Sequence, residues 1–184
     1  NNDRAELTDL AAMVMDGTLD GSVTIAFDDR TRSTFDADFK NLDLSKLAAL
    51  QSGRIIPIDG RTSGEAHLTF QGTNYRTTTG TLNASITANA GKDETARIPI
   101  NGTLALTAQD GRFEVAKADF STGVSSLSAS GRFDLNNDDS ALSINLNSKD
   151  AGEIQRLAEV TEISPDLDRQ FKSMEMRFAG NLSF

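Results

Sequence analysis

The side chains that could perform acid–base chemistry in this 184-residue sequence are one histidine and 27 carboxylates. A hydrolytic triad would need His67 together with a nucleophile and a third group that orients the imidazole ring. The alternation of residues around His67 instead points it to a polar strand face, beside Glu65 and Thr69. A surface histidine is therefore the favoured interpretation, and we predict no catalytic residue.

Paired carboxylates could act as acid and base in glycoside hydrolysis. Asp36 with Asp38 and Asp28 with Asp29 are such pairs, but they lie in predicted strands and turns, where solvated charge is the usual role. The sequence has no Trp and one Tyr, which argues against a cleft that stacks sugar rings. A glycosidase stays open as a distant alternative, and the chain is predicted not to be an enzyme.

A metal site is the third kind of chemistry to weigh. The run Asn136-Asn137-Asp138-Asp139 offers oxygen atoms that calcium accepts as ligands. The run lacks the spaced Asp-x-Asp-x-Asp-Gly pattern, so a plain turn is favoured. Cysteine is absent, which excludes disulfides, thiolate metal sites and a cysteine nucleophile. We predict no metal and no cofactor.

Net charge excludes two classes of partner. The formal charge is −9 and the isoelectric point is about 4.6, so the surface would repel nucleic-acid phosphates. The 18 Lys and Arg residues are scattered, which argues against a polybasic membrane-binding patch. No apolar run approaches the roughly 20 residues that span a bilayer. Any membrane anchor is therefore expected to lie in other parts of a longer protein.

Strand-like alternation of apolar and polar residues recurs along most of the chain. Such strands form antiparallel sheets with one apolar and one solvated face, whereas strands of doubly covered parallel sheets are apolar throughout. About nine strands are predicted, over Thr18–Asp28, Thr34–Leu44, Gly64–Gln71, Gly80–Ala90, Arg97–Ala108, Phe113–Phe120, Ser126–Leu135, Ala141–Asn147 and Met174–Phe184.

Other segments show helical spacing between these strands. In the first, Leu7, Leu10 and Val14 recur three or four residues apart after Asp3, a plausible N-cap. The predicted short amphipathic helices are Asp3–Met15, Ser45–Gln51 and Asp150–Val160, with a further possible turn at Pro165–Phe171.

The helical segments resemble one another in sequence. DRAELTDLAA from Asp3, DAGEIQRLAE from Asp150 and the shorter DLSKLAAL from Asp43 are each followed by a linker and a Gly-led strand ending in Phe. We therefore predict one fragment, 1–184, of a longer repetitive β domain. Its parts would be a helix over 1–16 that ends a preceding unit, a sheet over 17–160 with a helix at 45–51, and a helix opening the next unit over 150–184.

This recurring order of short helix, linker and Gly-led strand resembles the AsmA-like superfamily, and more closely its TamB-like branch of translocation and assembly proteins. The resemblance rests on FDADFKNLDLSKLAAL from Phe35, GRTSGEAHLTFQGT from Gly60, GTLNASITANAG from Gly80, the stretch 98–135, and INLNSKDAGEIQRLAE from Ile144. It implies a long antiparallel sheet curled into an open trough, or β-taco, whose apolar inner face carries phospholipid acyl chains across the bacterial periplasm. It also implies an inner-membrane anchor and an outer-membrane barrel partner, both outside this chain, and no catalytic residues.

The apolar strand face is the predicted lipid-binding groove of this fragment. The alternative is a structural or adhesive β-sandwich module, in which the same face is a dry core and loops recognise partners. An isolated fragment could also hide the face by forming a homodimer. The predicted groove residues are Val23, Ile25, Phe27, Phe35, Phe39, Leu68, Phe70, Leu82, Ile86, Leu104, Leu106, Phe133, Leu135, Ile144 and Leu146.

Overall fold

A computed structural model describes residues 3–52, 57–89, 97–137, 140–150, 152–153 and 175–182 of the chain. Within these ranges the protein is mostly β, with one short helix. The strands are β1 (Arg4–Val14), β2 (Gly17–Ala26), β3 (Arg32–Asp43), β4 (Ile58–Asp59), β5 (Arg61–Gln71), β6 (Asn74–Thr87), β7 (Ile98–Pro99), β8 (Asn101–Gln109), β9 (Arg112–Ser121), β10 (Ser125–Asp134), β11 (Ala141–Ser148) and β12 (Glu175–Leu182), and the helix is α1 (Leu44–Ser52).

Ten of the described strands form one sheet in the order β1-β2-β3-β5-β6-β8-β9-β10-β11-β12. Neighbours are antiparallel from β1 to β11, and β12 joins β11 in parallel. The short strands β4 and β7 pair separately, in parallel. From β1 to β11, each strand of the large sheet therefore pairs antiparallel with the strand of this sheet that is next to it along the chain, as predicted. The parallel pairing of β12 departs from the predicted antiparallel sheet.

The predicted strands are confirmed, since each of the nine predicted segments overlaps a strand of the described sheet. The helix predicted over Ser45–Gln51 is also confirmed, as α1. Its N-cap is Asp43, because Asp43 Oδ1 accepts hydrogen bonds from the backbone N–H groups of Ser45 and Lys46, at 2.9 and 3.1 Å.

The helix predicted over Asp3–Met15 is wrong, because this segment forms strand β1. The register jumps from Leu7 opposite Val23 to Leu10 opposite Gly21, and Asp9 lies between them at a φ of 55°. One extra residue in β1 is thus a β-bulge, which brings Leu7 and Leu10 to the same face although they are three residues apart. A spacing that is typical of a helix was produced by an interrupted strand.

The structure also corrects the prediction of a curled trough, because the sheet is neither closed nor strongly curled. Its two edges, β1 and β12, do not pair with each other. Bulges in β1, β3 and β9 displace the register locally, and such bulges twist individual strands without closing a sheet. Of the helix predicted over Asp150–Val160, only 152–153 is described as helical, and 154–174, including Pro165–Phe171, lies outside the described residues.

Burial within the described residues is shallow. Five of the eight buried apolar residues are alanines, and the other three are Leu42, Ile98 and Val115. Two of these larger residues lie toward one end of the strands, where α1 contacts β3 and β4 and where β4 pairs with β7. The thick core of Leu, Ile and Phe that a two-layer domain would contain is therefore not formed by the described residues.

Candidate functional site

The register aligns the apolar residues of successive strands into continuous rows. One row crosses the sheet from Ala37 through Ala66, Leu82, Leu106 and Val115. Directly opposed residues of antiparallel strands point to the same side of a sheet. The rows therefore form one surface, which we call the apolar face, on the side of the sheet that carries these residues.

Thirteen of the fifteen predicted groove residues lie in strands on the apolar face, by their register. The other two, Phe27 and Leu135, lie just beyond the ends of β2 and β10. Phe27 is 60% exposed. The structure thus brings the predicted residues together as one surface, while their contact with lipid stays a prediction.

The large side chains of the apolar face are only half buried. Ile25, Leu68, Leu82, Ile86 and Leu106 all have intermediate exposure, whereas the alanines between the larger side chains are covered by them, with Ala37 and Ala66 each 3% exposed. This contrast is expected when side chains pack sideways against each other and nothing covers them from above. The apolar face is therefore partly accessible in the part of the chain that the structure describes.

Several residues of the apolar face were missed by the sequence prediction. The rings of Phe113 and Phe133 stack in parallel with centroids 4.8 Å apart, and Phe120 opposes Leu127. Alternation in β9 is broken by a bulge after Val115, since Leu106 opposes Val115 while Ala105 opposes Lys117. The signal that could have found them is the three-residue step from Val115 to Ala118, which marks a bulge when strands flank it.

His67 lies on the opposite, polar face, as predicted, and is exposed. Its Nδ1 is 3.1 Å from Asp36 Oδ1, and its Nε2 is 3.9 Å from Glu65 Oε2. The hydrogen bond with Asp36 is the largest effect and raises the pKa of His67, desolvation opposes it, and the charges of Glu65 and Asp38 add to the increase. The side chain is an exposed partner of carboxylates in this arrangement.

We expect the Asp36→Asn variant to have a lower His67 pKa, because it loses the strongest partner of the imidazolium. NMR titration of the single His ring measures the pKa directly, and Asp119→Asn is the matched control for loss of a distant charge. Since the folded-state pKa is raised above the ordinary value of 6.5, the ion pairs stabilise the fold below that pH. Their contribution disappears as pH rises through the folded-state pKa. An unchanged His67 pKa in Asp36→Asn would contradict this assignment.

Asp28 and Asn136, which come from the other candidate sites, make hydrogen bonds that stabilise turns. Asp28 Oδ1 accepts hydrogen bonds from the backbone N–H groups of Arg30 and Thr31, both at 2.8 Å. Asn136, from the calcium candidate, donates its side-chain Nδ2 to the carbonyl oxygens of Arg76 and Asp110. These interactions are typical of loop structure. Asp138 and Asp139 lie outside the described residues.

In the described ranges, no three His, Cys, Asp or Glu side chains are placed to hold a metal ion together. The described helical residues include no segment with the length and apolar character needed to cross a membrane. No family model, curated protein or solved structure matches the chain. Inference about function therefore rests on the two faces of the sheet.

Proposed function

We propose that the apolar face holds lipid acyl chains, and that the chain is a segment of a bridge-like lipid transport protein of the cell envelope. The observation that carries this proposal is a continuous apolar surface across the sheet whose large side chains are partly exposed. Exposed contiguous apolar surface of this kind usually marks a site of interaction.

An acyl chain is the occupant that this surface suits best. Each Å² of apolar surface removed from water stabilises a complex by about 25 cal/mol. A hydrocarbon chain has no hydrogen-bond donors or acceptors that the protein would have to satisfy. The register places no charged side chain in the row from Ala37 to Val115. A chain could therefore shift along such rows without breaking specific polar contacts, as transport requires.

The β-sandwich alternative has less support. A sandwich needs a second sheet over the apolar face, and the described residues supply only the two-residue strands β4 and β7 outside the large sheet. A dry core would also bury Leu68, Leu82 and Leu106 fully, whereas all three have intermediate exposure. The resemblance to TamB-like proteins adds the location to the proposal, namely the periplasm, with an inner-membrane anchor and an outer-membrane barrel partner supplied by other parts of a longer protein.

Photocrosslinking tests the proposal. Probes placed at Ile25, Leu68 and Leu106 should form phospholipid adducts when the protein is purified from bacterial envelopes, and native mass spectrometry should detect co-purified phospholipid. Probes at Thr24 and Thr107 are matched controls, because each neighbours a test position in the same strand but points to the polar face.

The proposal is wrong if the apolar-face probes give no more adducts than Thr24 and Thr107, and no phospholipid accompanies the protein. Adducts restricted to a second copy of the chain would instead identify a homodimer that covers the face. The same samples therefore decide between lipid and self-association.

A further inference from the structure

A concave basin of about 630 Å³ opens on the polar side of strands β8 to β11. Its lining is dominated by small polar side chains. Six neutral ones contribute to it, namely Thr103, Ser121, Ser126, Ser128, Asn145 and Asn147. Gly102, Asp119 and two residues of the apolar face, Phe120 and Leu127, complete the lining. Because most of the lining side chains lie on the polar face, the basin opens opposite to the proposed lipid surface, and that proposal gives it no role.

The six neutral side chains of the basin make no hydrogen bond with any other part of the chain that the structure describes. Elsewhere on the polar face such groups are engaged: Asn83 donates to Glu65 at 3.1 Å, and Ser85 donates to the Ser63 carbonyl at 3.2 Å. Hydroxyl and amide groups both donate and accept. Four of these six side chains are exposed, namely Ser121, Ser126, Asn145 and Asn147. The basin therefore presents to solvent a cluster of groups with which a ligand could form hydrogen bonds.

The charged side chains in and beside the basin favour a neutral ligand. Asp119 is the only charged side chain that lines the basin among the described residues, and Lys117 Nζ lies 3.7 Å from its Oδ2. An anion would meet this carboxylate, and a cation would compete with Lys117 for it. A neutral ligand with many hydroxyl groups matches the lining better than either.

The distance between neighbouring strands limits the kinds of neutral ligand that fit the basin. Thr103, Asp119, Ser128 and Asn145 oppose one another on four neighbouring strands and form a row across them. Adjacent strands lie about 4.8 Å apart, which is close to the length of one sugar unit in an extended β-1,4-linked chain. A second row, which includes Ser126, runs beside the first.

We propose that this basin binds an extended, neutral β-1,4-linked oligosaccharide lying across strands β8 to β11, with successive sugar units in register with successive strands. The backbone of these inner strands is already paired on both sides, so an added peptide strand is not an alternative occupant. Phe120 lines the basin, but by register its side chain belongs to the apolar face. The polar side of the basin therefore offers no aromatic ring among the described residues that could stack on a sugar, and affinity is expected in the millimolar range.

Titration with cellohexaose, followed by ¹H–¹⁵N NMR of the labelled protein, tests this proposal. Shifts should concentrate at β8 to β11. Maltohexaose has the same composition but α-linkages that curve the chain, and it should cause weak, scattered shifts. The double variant Thr103→Val with Asn145→Val should weaken cellohexaose binding by about tenfold, at about twofold to tenfold per lost hydrogen bond. Thr81→Val, on the polar face of β6, is the control and should bind normally.

Equal responses to the two sugars, or no response to cellohexaose, would overturn the proposal even if the double variant failed to fold. Unweakened binding by a folded double variant would overturn it as well. Neither outcome bears on lipid adducts, because those are measured on the other face of the sheet.

Discussion

A Leu106→Asp variant is expected to reduce phospholipid adducts from a probe at Leu68 by at least about tenfold, while the sheet stays folded. In the lipid-free protein the partly exposed position lets the carboxylate reach water. A bound acyl chain would remove that water, and an unpaired charge in an apolar environment is costly enough to exceed the 1.4 kcal/mol that a tenfold change represents. Adduct yield and the urea midpoint are the two measurements.

Two further variants make the Leu106→Asp result interpretable. Thr107→Asp places the same charge on the polar face of the same strand and should leave adduct yield and stability nearly unchanged. Ala118→Asp introduces the charge at a position that is 5% exposed, and should strongly destabilise the sheet. If Leu106→Asp unfolds the protein as Ala118→Asp does, the apolar face is a closed core and the lipid proposal fails.

The Gly111→Ala variant is expected to lose about 3 kcal/mol of unfolding free energy. Gly111 has a φ of 80°, which costs other residues about 1–3 kcal/mol, and an added Cβ would lie 1.9 Å from the Arg76 carbonyl oxygen. The same residue links its own turn to strand β6 and to the turn after β10, since its N–H donates to the Thr78 carbonyl at 2.9 Å and its carbonyl accepts from Leu135 N–H at 3.0 Å. Relief of the clash would disturb both bonds.

Gly123→Ala is the matched control, because no atom of the described residues lies within 4 Å of a Cβ added there. Its stability should stay the same or rise by up to about 1 kcal/mol, as the substitution restricts the unfolded chain. Urea unfolding followed by circular dichroism measures both variants. Equal stability of the two would show that the turn around Gly111 tolerates a side chain and that the predicted clash is absent.

Much of the sheet could be predicted because side chains alternate strictly along a strand. The sequence alone placed Val23, Leu68 and Ile144 on one face, and the register agrees. The failure at Asp3–Met15 has a local cause: an extra residue near Asp9 turned a two-residue period into a three-residue step. Helical and bulged-strand patterns coincide over such a short stretch, and only the partner strand decides between them.

Features that depend on distant pairing could not be read from the sequence. Alternation predicts an apolar face but not whether another layer covers it, since an open sheet and a sandwich share the same pattern. Likewise, Thr103 and Asn145 are 42 residues apart in the sequence, and only the register across β9 and β10 brings them to one row. The polar basin is therefore a property of the sheet rather than of any motif.

The strand order of the large sheet has a consequence for how the sheet could gain or lose strands during evolution. From β1 to β11 each strand is added at the edge of the sheet, beside the strand of the same sheet that precedes it in the sequence. No strand therefore has to insert between two strands that are already paired. Insertion or deletion of a whole hairpin would change its width but not the side on which the surrounding residues face. Such a sheet can therefore lengthen by duplication of hairpins.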